Sequence, residues 1–130
     1  MKEQSNKNMG SKTDEQKVAE LMNNLEYGQA IPLLNNILSK KPNDVPTLLK
    51  LGDSMIGNGD PIPDCIEVYK KIIQLNPKSL EAYVQLLECY KEIAAYQEAI
   101  STAENIIKMA PKKANDLKKD IEKWKKKIPI

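Results

Sequence analysis

The residues in this sequence with the most reactive side chains are two cysteines, Cys65 and Cys89. A cysteine acts as a nucleophile or a metal ligand once a base, a cation or a metal favours its thiolate. The two residues do not form a CxxC pair, and two thiols alone cannot supply the four ligands of a structural zinc site. We therefore expect two buried thiols in a reducing compartment, with a disulfide as the alternative.

Two further patterns could form a site. Glu88 and Glu92 lie one helical turn apart, and paired carboxylates can bind a metal ion or transfer protons. Exposed helix faces carry such pairs routinely, and the chain has no histidine to assist them, so we predict a solvated pair. The glycines between Gly52 and Gly59 lack the Lys-Ser/Thr that completes a phosphate-binding loop, and a helix rather than a strand precedes them. We predict that Gly52 permits a close helix contact and that residues 57–61 form a turn.

The composition also argues against an enzyme. All 20 basic residues are lysines, so the chain has neither the usual general base nor the bidentate fork of arginine. No catalytic constellation, cofactor site or metal site is therefore expected. The chain has 130 residues, which suits one domain, and no apolar run approaches the roughly 20 residues of a membrane span. The polar N-terminus lacks the apolar stretch of a signal peptide, which predicts a cytoplasmic protein.

A repeat of about 34 residues organises the chain. Three prolines, Pro42, Pro77 and Pro111, lie at similar positions in successive units. Each is preceded by an isoleucine and, earlier, by a small residue. These preceding residues are Ile37, Ile72 and Ile106, and Ala30, Cys65 and Ala99.

Each unit has the apolar pattern of two helices, because bulky residues recur at helical spacing on both sides of a short turn. Asp44 and Ser79 are predicted N-caps, since their side chains can accept a hydrogen bond from the first turn. Each second helix ends before a proline, which cannot continue a helix. The middle unit has one extra residue, which we assign to its turn, residues 60–64.

These units resemble the tetratricopeptide repeat, whose pattern is a bulky residue, Leu-Gly, a tyrosine, an alanine, an aromatic residue and a proline. The middle unit matches with Leu48, Leu51, Gly52, Met55, Cys65, Tyr69 and Pro77. The third matches with Tyr83, Leu86, Leu87, Tyr90, Ala99, Ala103 and Pro111, and the first with Val18, Leu21, Ala30, Leu34 and Pro42. The resemblance implies an all-α fold, a right-handed α-solenoid of antiparallel helix pairs.

The predicted domain spans residues 14–127, with repeats at 14–44, 45–79 and 80–113 and a capping helix at 114–127. The capping helix carries an apolar stripe, Leu117, Ile121, Trp124 and Ile128, and we expect Trp124 to be partly buried. Residues 1–13 are polar and aperiodic and are predicted to be disordered, and residues 128–130 form a tail.

The resemblance also implies a concave groove, lined by the first helix of each repeat, that holds a peptide or helix. The matching positions are Leu49, Lys50, Asp53, Val84, Gln85, Glu88, Lys91, Glu92, Lys118, Lys119 and Glu122. Family members that bind chaperones clamp a C-terminal carboxylate with basic residues and asparagine. At those positions this chain has Glu15, Ala19, Lys50, Glu81 and Gln85, which disfavours that ligand.

The sequence thus predicts a non-enzymatic adaptor that binds a protein or peptide partner in its groove. One alternative is self-association through solenoid ends, giving a homo-oligomer. Another is surface anchoring by residues 112–127, where eight lysines oppose three acids. A single tryptophan and no arginine in that segment argue against nucleic acid.

Overall fold

The computed structural model describes residues 11–129, and all regular secondary structure in that range is helical, which confirms the all-α prediction. The elements are α1 (Asp14–Asn23), α2 (Tyr27–Lys40), α3 (Val45–Asn58), α4 (Ile62–Leu75), α5 (Leu80–Glu92), α6 (Tyr96–Met109), a 3₁₀ turn (Pro111–Lys113) and α7 (Ala114–Lys125). Residues 1–10 of the predicted disordered segment, and Ile130 of the predicted tail, lie outside the described residues.

The chain divides between Gly59 and Asp60 into two compact units. The division falls within the middle predicted repeat, between α3 and α4. In the first unit α2 packs against both α1 and α3. Its core includes Val18, Ala30, Leu34, Ile37 and Leu48, all buried.

In the second unit each helix packs on its neighbour in sequence: α4 on α5, α5 on α6, and α6 on α7. The buried side chains of this unit include Cys65, Tyr69, Ile72, Ala82, Leu86, Cys89, Ala99, Ala103 and Ile106. Tyr69 is the largest side chain that is fully buried. Contacts between helices adjacent in sequence therefore build this core, as they do in repeat proteins.

The first helix of each predicted repeat begins at a side-chain cap. The Asp44 carboxylate and the Ser79 hydroxyl accept hydrogen bonds from Thr47 N–H and Ala82 N–H, which confirms both predicted caps. The sequence reasoning missed Thr13, whose hydroxyl accepts from Gln16 N–H at 3.1 Å. The Gln16 side chain accepts in return from Thr13 N–H at 2.9 Å, completing a capping box that stabilises the start of α1.

The second helix of each pair follows a three-residue turn that contains one left-handed residue. These residues are Leu25 (φ 60°), Gly59 (φ 78°) and Ala94 (φ 56°). In the outer repeats the next N–H reaches back five residues, from Glu26 to Leu21 O at 2.7 Å and from Ala95 to Tyr90 O at 2.9 Å. Backbone hydrogen bonds therefore close these turns, and α2, α4 and α6 have no side-chain cap.

The structure corrects the predicted turn of the middle repeat. Gly57 and Asn58 are helical, and the turn begins at Gly59. Gly59 and Ala94 lie equally far after the N-caps Asp44 and Ser79, whereas Cys65 follows Gly59 by one residue more than Ala99 follows Ala94. The extra residue of the middle repeat therefore lies after Gly59, in the segment 60–64, as predicted. The turn begins at Gly59 and not at Gly57, because Gly59 is the residue that adopts the left-handed conformation, at no steric cost, and so ends α3.

Gly57 also has a packing role that the sequence reasoning did not assign to it. A Cβ atom at Gly57 would lie 2.4 Å from two ring carbons of Tyr27, at the start of α2. The bare backbone of α3 thus lets the Tyr27 ring lie directly against it. Gly52, which the sequence predicts to permit a close helix contact, is buried in α3.

The capping helix is shorter, and its tryptophan more deeply buried, than predicted. α7 ends at Lys125, and the next turn has hydrogen bonds from Lys127 N–H to Trp124 O and from Ile128 N–H to Lys125 O. Pro129 has no N–H with which to continue the α-helical pattern. Trp124, expected to be partly buried, is only 8% exposed, and Ile121 is 6% exposed. Both side chains lie on the apolar stripe of α7, which packs on α6. The Lys127 ammonium lies 5.5 Å from the centre of the Tyr96 ring at the start of α6, within the range of a cation–π contact.

Both cysteines are free and buried in the second unit, in agreement with the prediction of two buried thiols. Burial raises the pKa of Cys65, and Asp60 and Asp64 raise it further. Burial, and then the nearby Cys65, Glu88 and Glu92, raise the pKa of Cys89 from 9.0 to about 11. Neither thiol has the electropositive surroundings that activate a nucleophilic cysteine.

The contact between Gly57 and Tyr27 predicts that Gly57→Ala changes the free energy of unfolding in opposite directions with and without the Tyr27 ring. Gly57→Ala alone should lower the free energy of unfolding by about 1–2 kcal/mol, because the clash with the ring outweighs the better helix propensity of alanine. In a Tyr27→Ala background the same change should raise it by up to about 1 kcal/mol. Urea unfolding of the four proteins measures both values. A stabilising Gly57→Ala in the parent chain would contradict the contact.

The burial of Trp124 predicts that truncating this side chain strongly lowers the free energy of unfolding. Trp124→Ala should lower the free energy of unfolding by about 3 kcal/mol, the lower end of the range for buried aromatic truncations. Lys123→Ala, at an exposed position of the same helix, should change it by less than about 0.5 kcal/mol. Equal midpoints for the two variants in urea would mean that α7 does not stabilise the fold.

The raised pKa of Cys89 predicts slow thiol labelling and a pH-dependent stability. At pH 8 the folded Cys89 should react with a disulfide reagent at least about 100-fold more slowly than in urea, because only its thiolate reacts and the folded side chain is only 2% exposed. Cys65→Ala removes the other thiol and inserts the residue found at the equivalent positions 30 and 99, which isolates the Cys89 rate.

The same shift fixes the sign of the pH dependence. Folding favours the neutral thiol, so the contribution of Cys89 is fully present below pH 9.0 and is lost as the pH rises towards about 11. In the Cys65→Ala chain, the free energy of unfolding should fall more over that interval than in a Cys65→Ala, Cys89→Ala chain. Equal falls, or equal labelling rates with and without urea, would contradict a buried neutral Cys89.

Candidate binding clefts

The structure places the predicted groove residues on three helices. Leu49, Lys50 and Asp53 lie on α3 of the first unit, where Lys50 is exposed and the other two are half-buried. In the second unit, α5 carries Val84, Gln85, Glu88, Lys91 and Glu92, and α7 carries Lys118, Lys119 and Glu122. Val84 and Gln85 are half-buried, and the other six are exposed.

An open cleft of about 650 Å³ lies in the second unit and is called the α5–α7 cleft here. Its lining residues are Val84, Leu87 and Glu88 of α5, Ile106 and Ala110 at the end of α6, Lys112 and Lys113 of the 3₁₀ turn, and Asp116 and Leu117 of α7. The α5 residues meet in one wall because positions three and four apart share a face of a helix. The 3₁₀ turn that starts at Pro111 brings the first turn of α7 to the opposite side.

The floor of the α5–α7 cleft is apolar and its rim is charged. Leu87 and Ile106 are buried, whereas Val84 and Leu117 are half-buried and can contact a ligand. Around them lie Glu88 and Asp116, and two lysines of the 3₁₀ turn. Glu88 also forms an exposed ion pair with Lys91, with 3.2 Å between Nζ and Oε2. A pair this exposed adds little stability, so both side chains can rearrange around a ligand.

A second open cleft, of about 620 Å³, lies between α6 and α7 and is called the α6–α7 cleft. Its lining residues are Glu104, Ile107 and Lys108 of α6, and Lys118, Ile121, Glu122 and Lys125 of α7. Glu122 and Lys125 form an exposed ion pair at 3.5 Å. This cleft opens on a different face of α7 from Asp116 and Leu117, because the two clefts share no lining residue.

The predicted groove residues of the second unit therefore divide between two clefts. Val84 and Glu88 line the α5–α7 cleft, and Lys118 and Glu122 line the α6–α7 cleft. The remaining four, Gln85, Lys91, Glu92 and Lys119, line neither. The sequence mapping missed Lys112, Lys113, Asp116 and Leu117. The sequence feature that could have identified these four residues is the spacing of Leu117 and Ile121, which fixes the side of α7 that faces α6.

The structure also shows where the other candidate metal and phosphate residues lie. Within residues 11–129, no group of three histidine, cysteine or acidic residues could hold a metal ion. Glu88 and Glu92 are exposed, as predicted, and the glycines that could suggest a phosphate loop include Gly52 and Gly57, both helical. Among the described helices, none combines the length and apolar character needed to cross a membrane.

Comparison with known proteins finds similarity at the level of structure. No family model matches the chain, and no curated protein matches it. A crystal structure of the protein MamA shares 29% identity and a TM-score of 0.72 over 82% of this chain. The match covers 57% of the MamA chain, so this chain spans less than two thirds of its length.

Two TPR domains, named after the tetratricopeptide repeat, have the same fold at lower identity. The first TPR of Spaghetti (RPAP3), solved with the HSP90 peptide SRMEEVD, has a TM-score of 0.70 at 13% identity, covering 85% of this chain and 88% of its own. The TPR2B domain of yeast Sti1, solved in a complex with pHsp70, has a TM-score of 0.73 at 13% identity, covering 88% and 95%. Its paired helices, its period of 34 to 35 residues and these structural neighbours show that the chain has a fold like that of tetratricopeptide-repeat proteins.

Proposed function

We propose that the chain is a non-enzymatic protein-interaction module that binds a peptide or helix of a partner protein. The observation that carries the proposal is the α5–α7 cleft, with apolar side chains at its centre and charges of both signs around it. This is the arrangement of protein-binding surfaces, in which an apolar anchor is buried at the centre and a polar rim sets orientation.

The residues of the cleft indicate what its ligand presents. Val84 and Leu117 offer apolar surface from opposite walls, so the ligand needs an apolar side chain that enters between them. Lys112 and Lys113 favour an acidic group beside that anchor, and Glu88 and Asp116 favour a basic group. The proposed ligand is thus a short segment with an apolar anchor flanked by charges of both signs.

Two structurally similar domains support a peptide ligand, since both were solved with chaperone partners. The peptide SRMEEVD ends in acidic residues. In this chain Glu15 and Glu81 occupy positions that the family resemblance assigns to its carboxylate clamp, and they would repel such an end. The proposed partner is therefore a different segment. Leu49, Lys50 and Asp53 remain predicted contacts in the first unit.

The proposal is tested by selecting peptides from a random phage-displayed library on the immobilised chain. Enriched peptides should share an apolar residue and bind with micromolar Kd, as modest interfaces do. Val84→Lys places a charge in the wall of the cleft and should weaken binding at least about tenfold. Isothermal titration with the synthetic peptides measures the change.

Ile93→Lys is the matched control, because it makes the same kind of change at the end of α5. Ile93 is 43% exposed and does not line the cleft, so this variant should retain the parent Kd. The proposal fails if no peptide is enriched over empty beads. It also fails if the enriched peptides bind the parent chain and the Val84→Lys variant equally.

A further inference from the structure

The α6–α7 cleft has the form of a seat for an additional helix. Within the second unit, α5 packs against both α4 and α6, and α6 against both α5 and α7. α7 is the last described helix, and beside its contact with α6 it leaves the α6–α7 cleft open. Both walls are built at helical spacing, from positions 104, 107 and 108 on α6 and from 118, 121, 122 and 125 on α7.

The dimensions of the α6–α7 cleft also fit a helix. Its α7 wall runs from Lys118 to Lys125, seven residue steps or about 10 Å. A helix lying along this wall would present about two turns, with apolar anchors at i, i+3 or i+4, and i+7. The floor that receives them consists of Ile107, which is half-buried, and Ile121.

The charges around the cleft identify the chemistry of the occupant. Glu122 and Lys125 form an ion pair with each other. Lys108 and Lys118 form no ion pair within the described part of the chain, and both lie near the connection between α6 and α7. One end of the cleft therefore carries two lysines that form no ion pair within the described residues, and one of them, Lys118, lies in residues 112–127, where eight lysines oppose three acids.

We propose that the α6–α7 cleft docks an amphipathic helix of a partner protein, whose apolar stripe contacts Ile107 and Ile121 and whose acidic residues pair with Lys108 and Lys118. This surface is separate from the α5–α7 cleft, so the chain can hold two protein segments at once. Glu104 and Glu122 line the same cleft one helical turn further from the connection than Lys108 and Lys118. A helix with acidic residues at one end only therefore fits this cleft better than a uniformly anionic nucleic acid or lipid surface.

The probe is a synthetic labelled helix of roughly 15 residues, long enough to form helix on a surface. It has leucines at i, i+3, i+4 and i+7 and glutamates beside them in one half, and a second peptide has lysines in place of the glutamates. Fluorescence anisotropy at low salt should show that the glutamate peptide binds the parent chain at least about tenfold more tightly than the lysine peptide.

A pair of charge-reversal variants tests whether the glutamate peptide binds in the α6–α7 cleft. Lys108→Glu with Lys118→Glu should weaken the glutamate peptide about tenfold and strengthen the lysine peptide. Lys119→Glu with Lys123→Glu makes the same change in net charge at exposed positions outside both clefts, and it should change either Kd less than about threefold. Circular dichroism confirms that both variants remain helical.

Four results would overturn the inference. The first is no binding of the glutamate peptide to the parent chain up to about 1 mM, and the second is equal binding of the two peptides. The third is an equal loss of affinity in the two double variants. The fourth is that Lys108→Glu with Lys118→Glu weakens binding to anionic vesicles but not to the glutamate peptide. Val84→Lys should leave the glutamate peptide unaffected. If Val84→Lys abolishes its binding, the peptide occupies the α5–α7 cleft, which overturns the second docking site while leaving the proposed function intact.

Discussion

Each of α2, α4 and α6 contains, at the same position of the repeat, a small side chain that is completely excluded from solvent: Ala30, Cys65 and Ala99, all 0% exposed. A helix can approach its neighbour this closely only where no bulky side chain intervenes, and close-packed interiors do not absorb added methyl groups without strain. The positions of the large buried residues follow from this close approach of the helices. Leu34, Tyr69 and Ile106 lie four or seven residues further along the same helices and fill the space beside each close contact.

The packing of α7 on α6 also positions the clefts. α7 is held on α6 by Ile121 and Trp124, so its two flanking faces are directed to either side of that contact. One face completes the α5–α7 cleft with Leu117, and the other completes the α6–α7 cleft with Lys118 and Lys125. A helix that caps the core thereby supplies one wall to each of two binding surfaces. The lysines that keep its outer face solvated also give one of these surfaces its charge.

Much of this fold could be predicted from the sequence because the determinants are local. The spacing of Pro42, Pro77 and Pro111 and the caps at Asp44 and Ser79 fix where helices end and begin. The role of Gly57 could not be predicted, since it depends on a tyrosine 30 residues away in sequence. The burial of Trp124 was underestimated because proximity to a chain end does not report how a helix packs. The cleft residues were predicted only in part, because neighbouring residues of a helix point about 100° apart and the packing of α7 on α6 decides that Leu117 and not Lys118 faces α5.

The most direct test of the central claim, that the α5–α7 cleft is a peptide-binding site, is methyl NMR of the chain titrated with a library-selected peptide. The account predicts that the methyl signals of Val84, Leu87 and Leu117 shift together with one Kd and show contacts to the apolar anchor of the peptide. The methyl signals of Val18 and Leu34, buried in the first unit, should stay in place. Shifts confined to residues outside the cleft, or the absence of contacts between the peptide and Val84 or Leu117, would contradict it.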